Sequence, residues 1–127
     1  MPVWIDRAVV LAIHDEQLSE HGGLAGIRDA GALDSALGRP QNLHVYEGAS
    51  VFRLAAAYAF GLACNHAFAD GNKRTSAVVT ELFLEMNGWS LAASDEALVM
   101  MWLAIADGKR DESTIAAWLE QYSALNG

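Results

Sequence analysis

Residues 64–79 read CNHAFADGNKRTSAVV, and nine consecutive positions, 66–74, hold a histidine, an acid, a glycine, an asparagine and two cations between apolar helical segments. Each residue type suits one part of a phosphate reaction. His66 can be neutral near pH 7 and accept a proton from an attacking hydroxyl. Asp70 is a hard oxygen ligand, suited to a Mg²⁺ ion that bridges phosphate oxygens and keeps most of its waters. Gly71 lets the backbone come close to a ligand. Asn72 can either donate to a phosphate oxygen or hold the loop in shape. Lys73 and Arg74 are two of only eight Lys and Arg in the chain, and both fall in the first turn of a helix. Helix N-termini carry unpaired N–H groups and partial positive charge, so they attract phosphate. Two cations oppose that dipole, which points to an anionic ligand. The segment reads as a nucleotide-phosphate site.

Plainer readings stand beside this one. A histidine on an apolar stripe, taken alone, reads as a satisfied core residue; its place four residues before an acid and a Gly-Asn turn points to a catalyst instead. Asp70 has a second reading, as a cap for the following helix. GNKRTS ends like a phosphate-binding P-loop, but it lacks Gly directly before Lys and a second Gly five residues earlier. His14 and Asp15 form an HD pair that no second histidine cluster supports, so they read as a solvated helix face.

The elements that must position this segment are helical nearly throughout. A first helix is expected from about Asp6 to Glu20, with Val9, Val10, Ile13 and Leu18 at or near one face and HGG as its glycine stop. Asp29 can cap a short helix, AGALDSALG, that stops before Pro40. QNLHVYEG then reads as irregular or extended, a small hairpin or flap. Ser50 can cap a long helix reaching about Phe68, apolar all round as central helices are, with Ala55, Tyr58, Ala59, Leu62 and His66 on one stripe. After the break at Gly71–Asn72, a helix runs from about Lys73 to Met86. Ser94 or Asp95 starts the next, to Asp107, and a last one spans about Ser113 to Leu125. Six helices with short joints make an all-α bundle.

Composition sets the class. The chain has 127 residues, 53% hydrophobic and 19% charged, which fits a single packed domain over residues 1–127. A formal net charge of −8 opposes nonspecific nucleic-acid binding. No run reaches the roughly 18 apolar residues of a membrane span, and no secretory signal is visible, so a cytoplasmic location is expected. Cys64 reads as a small core residue. Trp89, Met100, Met101, Trp102 and Trp118 read as core packing, His21 and His44 as surface or loop, and Arg39 and Arg53 as solvated.

HAFADGNKR resembles the signature of Fic-fold proteins, H-x-F-x-[D/E]-G-N-[G/K]-R, and closely that of the death-on-curing (Doc) branch, where Lys stands for the second glycine. HGGLAGIRDAGALDSALGRPQ resembles the segment that precedes the motif in that branch. The resemblance implies a Fic fold, a six-helix bundle with the active-site loop between two central helices. It implies that His66 activates a hydroxyl of a target protein, Phe68 anchors the loop in the core, and Asp70 holds Mg²⁺. Gly71, Asn72, Lys73 and Arg74 would then hold the phosphates of ATP. Most Fic enzymes transfer AMP; the Doc branch is associated with transfer of the terminal phosphate to translation elongation factor Tu, arresting growth in bacteria. Lys73, where glycine leaves room for phosphate, places the chain on the Doc side. The alternatives are AMP transfer through the same motif and a catalytically weak binding module. A second arginine found in many Fic enzymes is here Ala77. Autoinhibited Fic proteins carry [S/T]-x-x-x-E, and no Ser or Thr of this chain has Glu four positions later. The resemblance therefore implies an antitoxin acting in trans through a disordered segment that folds on binding, with no direct nucleic-acid partner.

Overall fold

The computed structural model describes residues 2–126. Among them lie six helices and one small antiparallel sheet: α1 (Arg7–His21), α2 (Ala30–Glu47), α3 (Val51–Cys64), α4 (Asn72–Met86), β1 (Trp89–Leu91), α5 (Asp95–Ala106), α6 (Glu112–Tyr122) and β2 (Ser123–Leu125). This is the all-α bundle that the periodicity demands. Helix α3 is its axis and packs against α2, α4, α5 and α6. Its sequence VFRLAAAYAFGLAC offers few polar side chains, and residues 54–59 are all buried. Helices α2 and α3 come closest where Gly61 faces Ala36; a Cβ on Gly61 would sit 3.0 Å from the Ala36 Cβ.

The caps read from sequence are in place. Asp29 Oδ1 accepts from the Ala32 N–H at 3.0 Å, Ser50 Oγ from Arg53 N–H at 3.2 Å, and Ser94 Oγ from Ala97 N–H at 3.1 Å. Each such cap contributes about 1 kcal/mol. Gly22 ends α1, its N–H bonded to the Leu18 carbonyl.

Four boundaries or faces differ from expectation. QNLHVYEG is helical: α2 continues through Pro40 to Glu47. Leu33, Ala36, Pro40 and Leu43 are all buried, so the apolar stripe passes straight across the proline. A mid-helix proline costs about 3 kcal/mol, whereas each fully buried large apolar side chain contributes roughly 1.5–3 kcal/mol. The stripe outweighs the lost bond. Helix α3 stops at Cys64 rather than near Phe68, because Asn65 ends the helix and His66 takes a left-handed backbone, φ 51°. The last helix stops at Tyr122, and residues 123–125 pair with β1, Trp89 opposite Leu125. Val9 and Met100, read as inward, are exposed. The other members of that apolar row behave as expected: Met101 and Trp102 are buried, and Trp89 and Trp118 are partly so against the core.

Among the described residues, no helix is long and apolar enough to cross a membrane.

Candidate active site

The site is built on the loop between α3 and α4, and a second segment braces it. The α1–α2 connector, residues 22–29, runs against the loop. The Ala67 carbonyl accepts from both Arg28 and Asp29 N–H groups, at 2.8 and 3.1 Å, and Ala69 N–H donates to the Gly26 carbonyl at 3.1 Å. Ile27 and Phe68 form an antiparallel bridge. Phe68 is buried, as an anchor must be. Asn72 closes the loop from the other side: its Oδ1 accepts from Phe68 N–H at 3.1 Å and its Nδ2 donates to the Phe68 carbonyl at 3.0 Å. Of the two roles open to Asn72, these bonds are those of loop shape.

This bracing holds His66 in a backbone conformation that costs a non-glycine residue roughly 1–2 kcal/mol. Its consequence is directional. His66 is not on the apolar stripe of α3 but turned off the helix end, exposed. A general base must reach solvent and substrate, and this turn lets it.

Asp70 is not the cap of α4; Gly71 is, in the left-handed region at φ 80°. With no side-chain cap there, the N–H groups of Asn72, Lys73 and Arg74 keep the unpaired state of a helix start. Asp70 instead turns back, its Oδ2 accepting from Leu24 N–H at 2.8 Å. Gly23 makes room for it, since a Cβ there would lie 3.1 Å from the Asp70 Cβ.

His66, Asp70, Gly71, Asn72, Lys73 and Arg74 line one cleft of about 590 Å³, a volume suited to a nucleotide. Lys73 and Arg74 are exposed, and neither makes an ion pair among the described residues. Among the described residues they are the only Lys or Arg on the cleft wall. Ala77 lines the wall where a second arginine stands in many Fic proteins, and no other Lys or Arg among the described residues lines the cleft in its place. The opposite wall is apolar: Leu98, Val99, Trp102 and Leu103 of α5. Trp102 is fixed there by its indole N–H, which donates to Ser76 Oγ at 2.8 Å; Ser76 in turn donates to the Ala59 carbonyl at 2.7 Å.

Among the described residues, none donates a hydrogen bond to Asp70 Oδ1, and there is no cluster of three or more metal-ligating side chains. A single open carboxylate beside two cations and a helix start fits Mg²⁺ carried in on phosphate and water, and does not fit a cation caged wholly by protein.

The model of the Fic/DOC family matches residues 4–84. The chain belongs to the Fic/DOC family. It is 34% identical over 113 residues to "Protein kinase doc" of Escherichia phage P1, covering 88% of this chain and 89% of that protein. It is 42% identical over 130 residues to "Toxin Doc" of Mycolicibacterium smegmatis (strain ATCC 700084 / mc(2)155), covering 98% and 96%. The Fic/DOC motif is thus set in its expected place between two central helices.

His14 is where the sequence reading fails. It is not on a solvated face: it is 3% exposed, lies under the loop and bonds to the Asp70 carbonyl. Only Asp15 of the HD pair is exposed. No local pattern marks this role: of the glycines in GGLAG after α1, only Gly23 would press a Cβ against the loop, and it faces Asp70 rather than His14. Arg39 and Arg53 lie outside the motif cleft, along a second cleft bounded by α2, α3 and the start of α6. Arg39 is bound by Glu112 through two hydrogen bonds, at 3.3 and 2.9 Å, which raise its already high pKa. Cys64 donates to the Ile105 carbonyl at 3.3 Å, and burial pushes its thiol pKa up, as befits an unreactive cysteine.

Proposed function

We propose that this protein is a Doc-type toxin that transfers the terminal phosphate of Mg·ATP to a hydroxyl of a protein target, translation elongation factor Tu being the expected one. The observation that carries this reading is the single cleft in which an outward-turned imidazole, an open carboxylate, a bare helix start and two unpaired cations meet. The names of the two relatives, a kinase and a toxin, support it.

In this reading Lys73, Arg74 and the first-turn N–H groups of α4 hold the phosphates in line. The target's hydroxyl oxygen bonds to the γ-phosphorus, His66 takes the hydroxyl proton, and the bond from that phosphorus to the β–γ bridging oxygen breaks, releasing ADP. Asp70 would hold Mg²⁺, which supplies charge neutralisation at the phosphate oxygens when bound. With Ala77 in place of an arginine, Lys73 and Arg74 carry the side-chain share of charge stabilisation alone. The absence of any Ser or Thr followed four positions later by Glu supports inhibition by a separate antitoxin.

ATP labelled on either the α or the γ phosphorus, added with Mg²⁺ and protein to a bacterial lysate, tests the chemistry. Label should reach one lysate protein from the γ position only. Label arriving from the α position identifies an AMP-transferase instead, and no label from either leaves a binding module. Expression of the chain alone should slow bacterial growth, and His66→Ala should relieve it; equal toxicity of the two would overturn the catalytic reading.

A further inference from the structure

The chemistry proposed above makes no use of His14, yet this buried ring meets the motif loop at Phe68, Asp70 and Gly71. Its Nε2 lies 2.8 Å from the Asp70 carbonyl oxygen. A carbonyl only accepts, so the imidazole must carry its proton on Nε2 and donate. The same ring lies flat on Phe68, centroids 3.8 Å apart and planes 11° off parallel. Gly71 closes a third side: a Cβ there would stand 3.5 Å from His14 Cδ2 and 3.6 Å from its Nε2. The anchor, the carboxylate residue and the helix cap of the loop therefore rest on one imidazole.

That arrangement constrains Asp70 at two points. His14 fixes its main-chain carbonyl from α1, while Leu24 N–H fixes one carboxylate oxygen from the α1–α2 connector. With backbone and Oδ2 both held, the direction of Oδ1 is set. We propose that His14 is a positioning residue, aiming the Asp70 carboxylate at the divalent cation that accompanies the phosphates. This deepens the phosphotransferase reading and rests on it. A role in packing alone would need only a ring of this size; a positioning role needs the Nε2–H as well. Outer partners of metal ligands typically change metal affinity or activity by about 10–100-fold when removed.

Two variants separate these roles. His14→Phe keeps a ring on Phe68 and removes the donor; His14→Gln places an amide N–H near the same point and removes the ring. Two quantities are read: amide hydrogen exchange at Leu24, Phe68 and Ala69, with Ala59 in α3 as a control, and the Mg²⁺ concentration giving half-maximal phosphate transfer. In His14→Phe the three loop amides should exchange at least about tenfold faster with Ala59 unchanged, and the Mg²⁺ requirement should rise about 10–100-fold. His14→Gln should stay close to the parent on both. Parent-like values in His14→Phe overturn the proposal, as does a His14→Gln variant as impaired as His14→Phe. If His14→Phe does not fold, His14→Leu replaces it under the same criteria. A parent protein that transfers no phosphate defeats the phosphotransferase reading, and the exchange rates then decide the positioning role alone.

Discussion

At His66 the proposed function and stability pull in opposite directions. Its positive φ is strained for any side chain and relaxed for glycine. His66→Gly should lower transfer about 10²–10⁴-fold, the usual share of a general base. Its thermal stability should hold or rise by up to about 1 kcal/mol. A melt showing clear destabilisation would mean that the ring contributes packing that its exposure denies. Ser76 is the converse case, structural rather than chemical. It is fully buried, and Ser76→Ala strands the Trp102 indole N–H and takes a second bond from the Ala59 carbonyl, which keeps its helical partner within α3. A buried group left unpaired costs about 1–3 kcal/mol, so chemical denaturation should show a loss of that size. Tryptophan fluorescence should report the freed indole on the cleft wall.

At the scale of elements, two helices carry tests of the packing account. Alanine is the better helix former by about 1 kcal/mol, yet Gly61→Ala should destabilise by about 1–3 kcal/mol, because its Cβ would press on Ala36 side chain and backbone at 3.0 and 3.2 Å. Tighter packing forbids what propensity favours. On α4, burial first, and then Glu85 and Asp95, raise the Glu81 pKa above its ordinary 4.5. A raised carboxyl binds more protons folded than unfolded, so stability falls as pH rises from the ordinary value through the folded one. Glu81→Gln should therefore melt higher than the parent at pH 7, with the advantage vanishing below pH 4.5, where the parent carboxyl is protonated in both states.

These helices also mark how far the sequence could be read. Local signals gave the caps at Asp29, Ser50 and Ser94 and the count of helices. Proline chemistry misled at Pro40, because the buried stripe that overrules it depends on α3 lying alongside. Apolar periodicity carried α3 too far, since Ala67 and Phe68 are as buried as any helical residue although they lie in a loop. The β1–β2 pair joins residues 36 positions apart at its outer end, Trp89 and Leu125, and no local pattern announces it.

Across the whole molecule, the fold gathers into one cleft a motif that was already contiguous in sequence. That is why Asp70, Gly71, Lys73 and Arg74 were legible as a candidate phosphate site. What supports them was not: His14 and the 22–29 connector are some fifty positions away, and their role exists only once α1 packs beside α4. Charge has the same distribution. The protein carries a formal −8, yet it presents two unpaired cations at one helix start. Binding of a polyanion there should be local and should weaken with added salt, as exposed charges are screened beyond about 10 Å at 0.1 M.

Titration of the isotopically labelled protein with Mg²⁺ and a non-hydrolysable ATP analogue, followed by NMR, tests that central claim most directly. The expected result is saturable binding of one nucleotide, with the largest shifts at the Asn72, Lys73 and Arg74 amides and at the Trp102 indole N–H. Lys73→Glu should weaken it at least about tenfold, since it reverses a charge beside the phosphates. Nucleotide that fails to bind, or that binds with those four signals unmoved, would contradict the account.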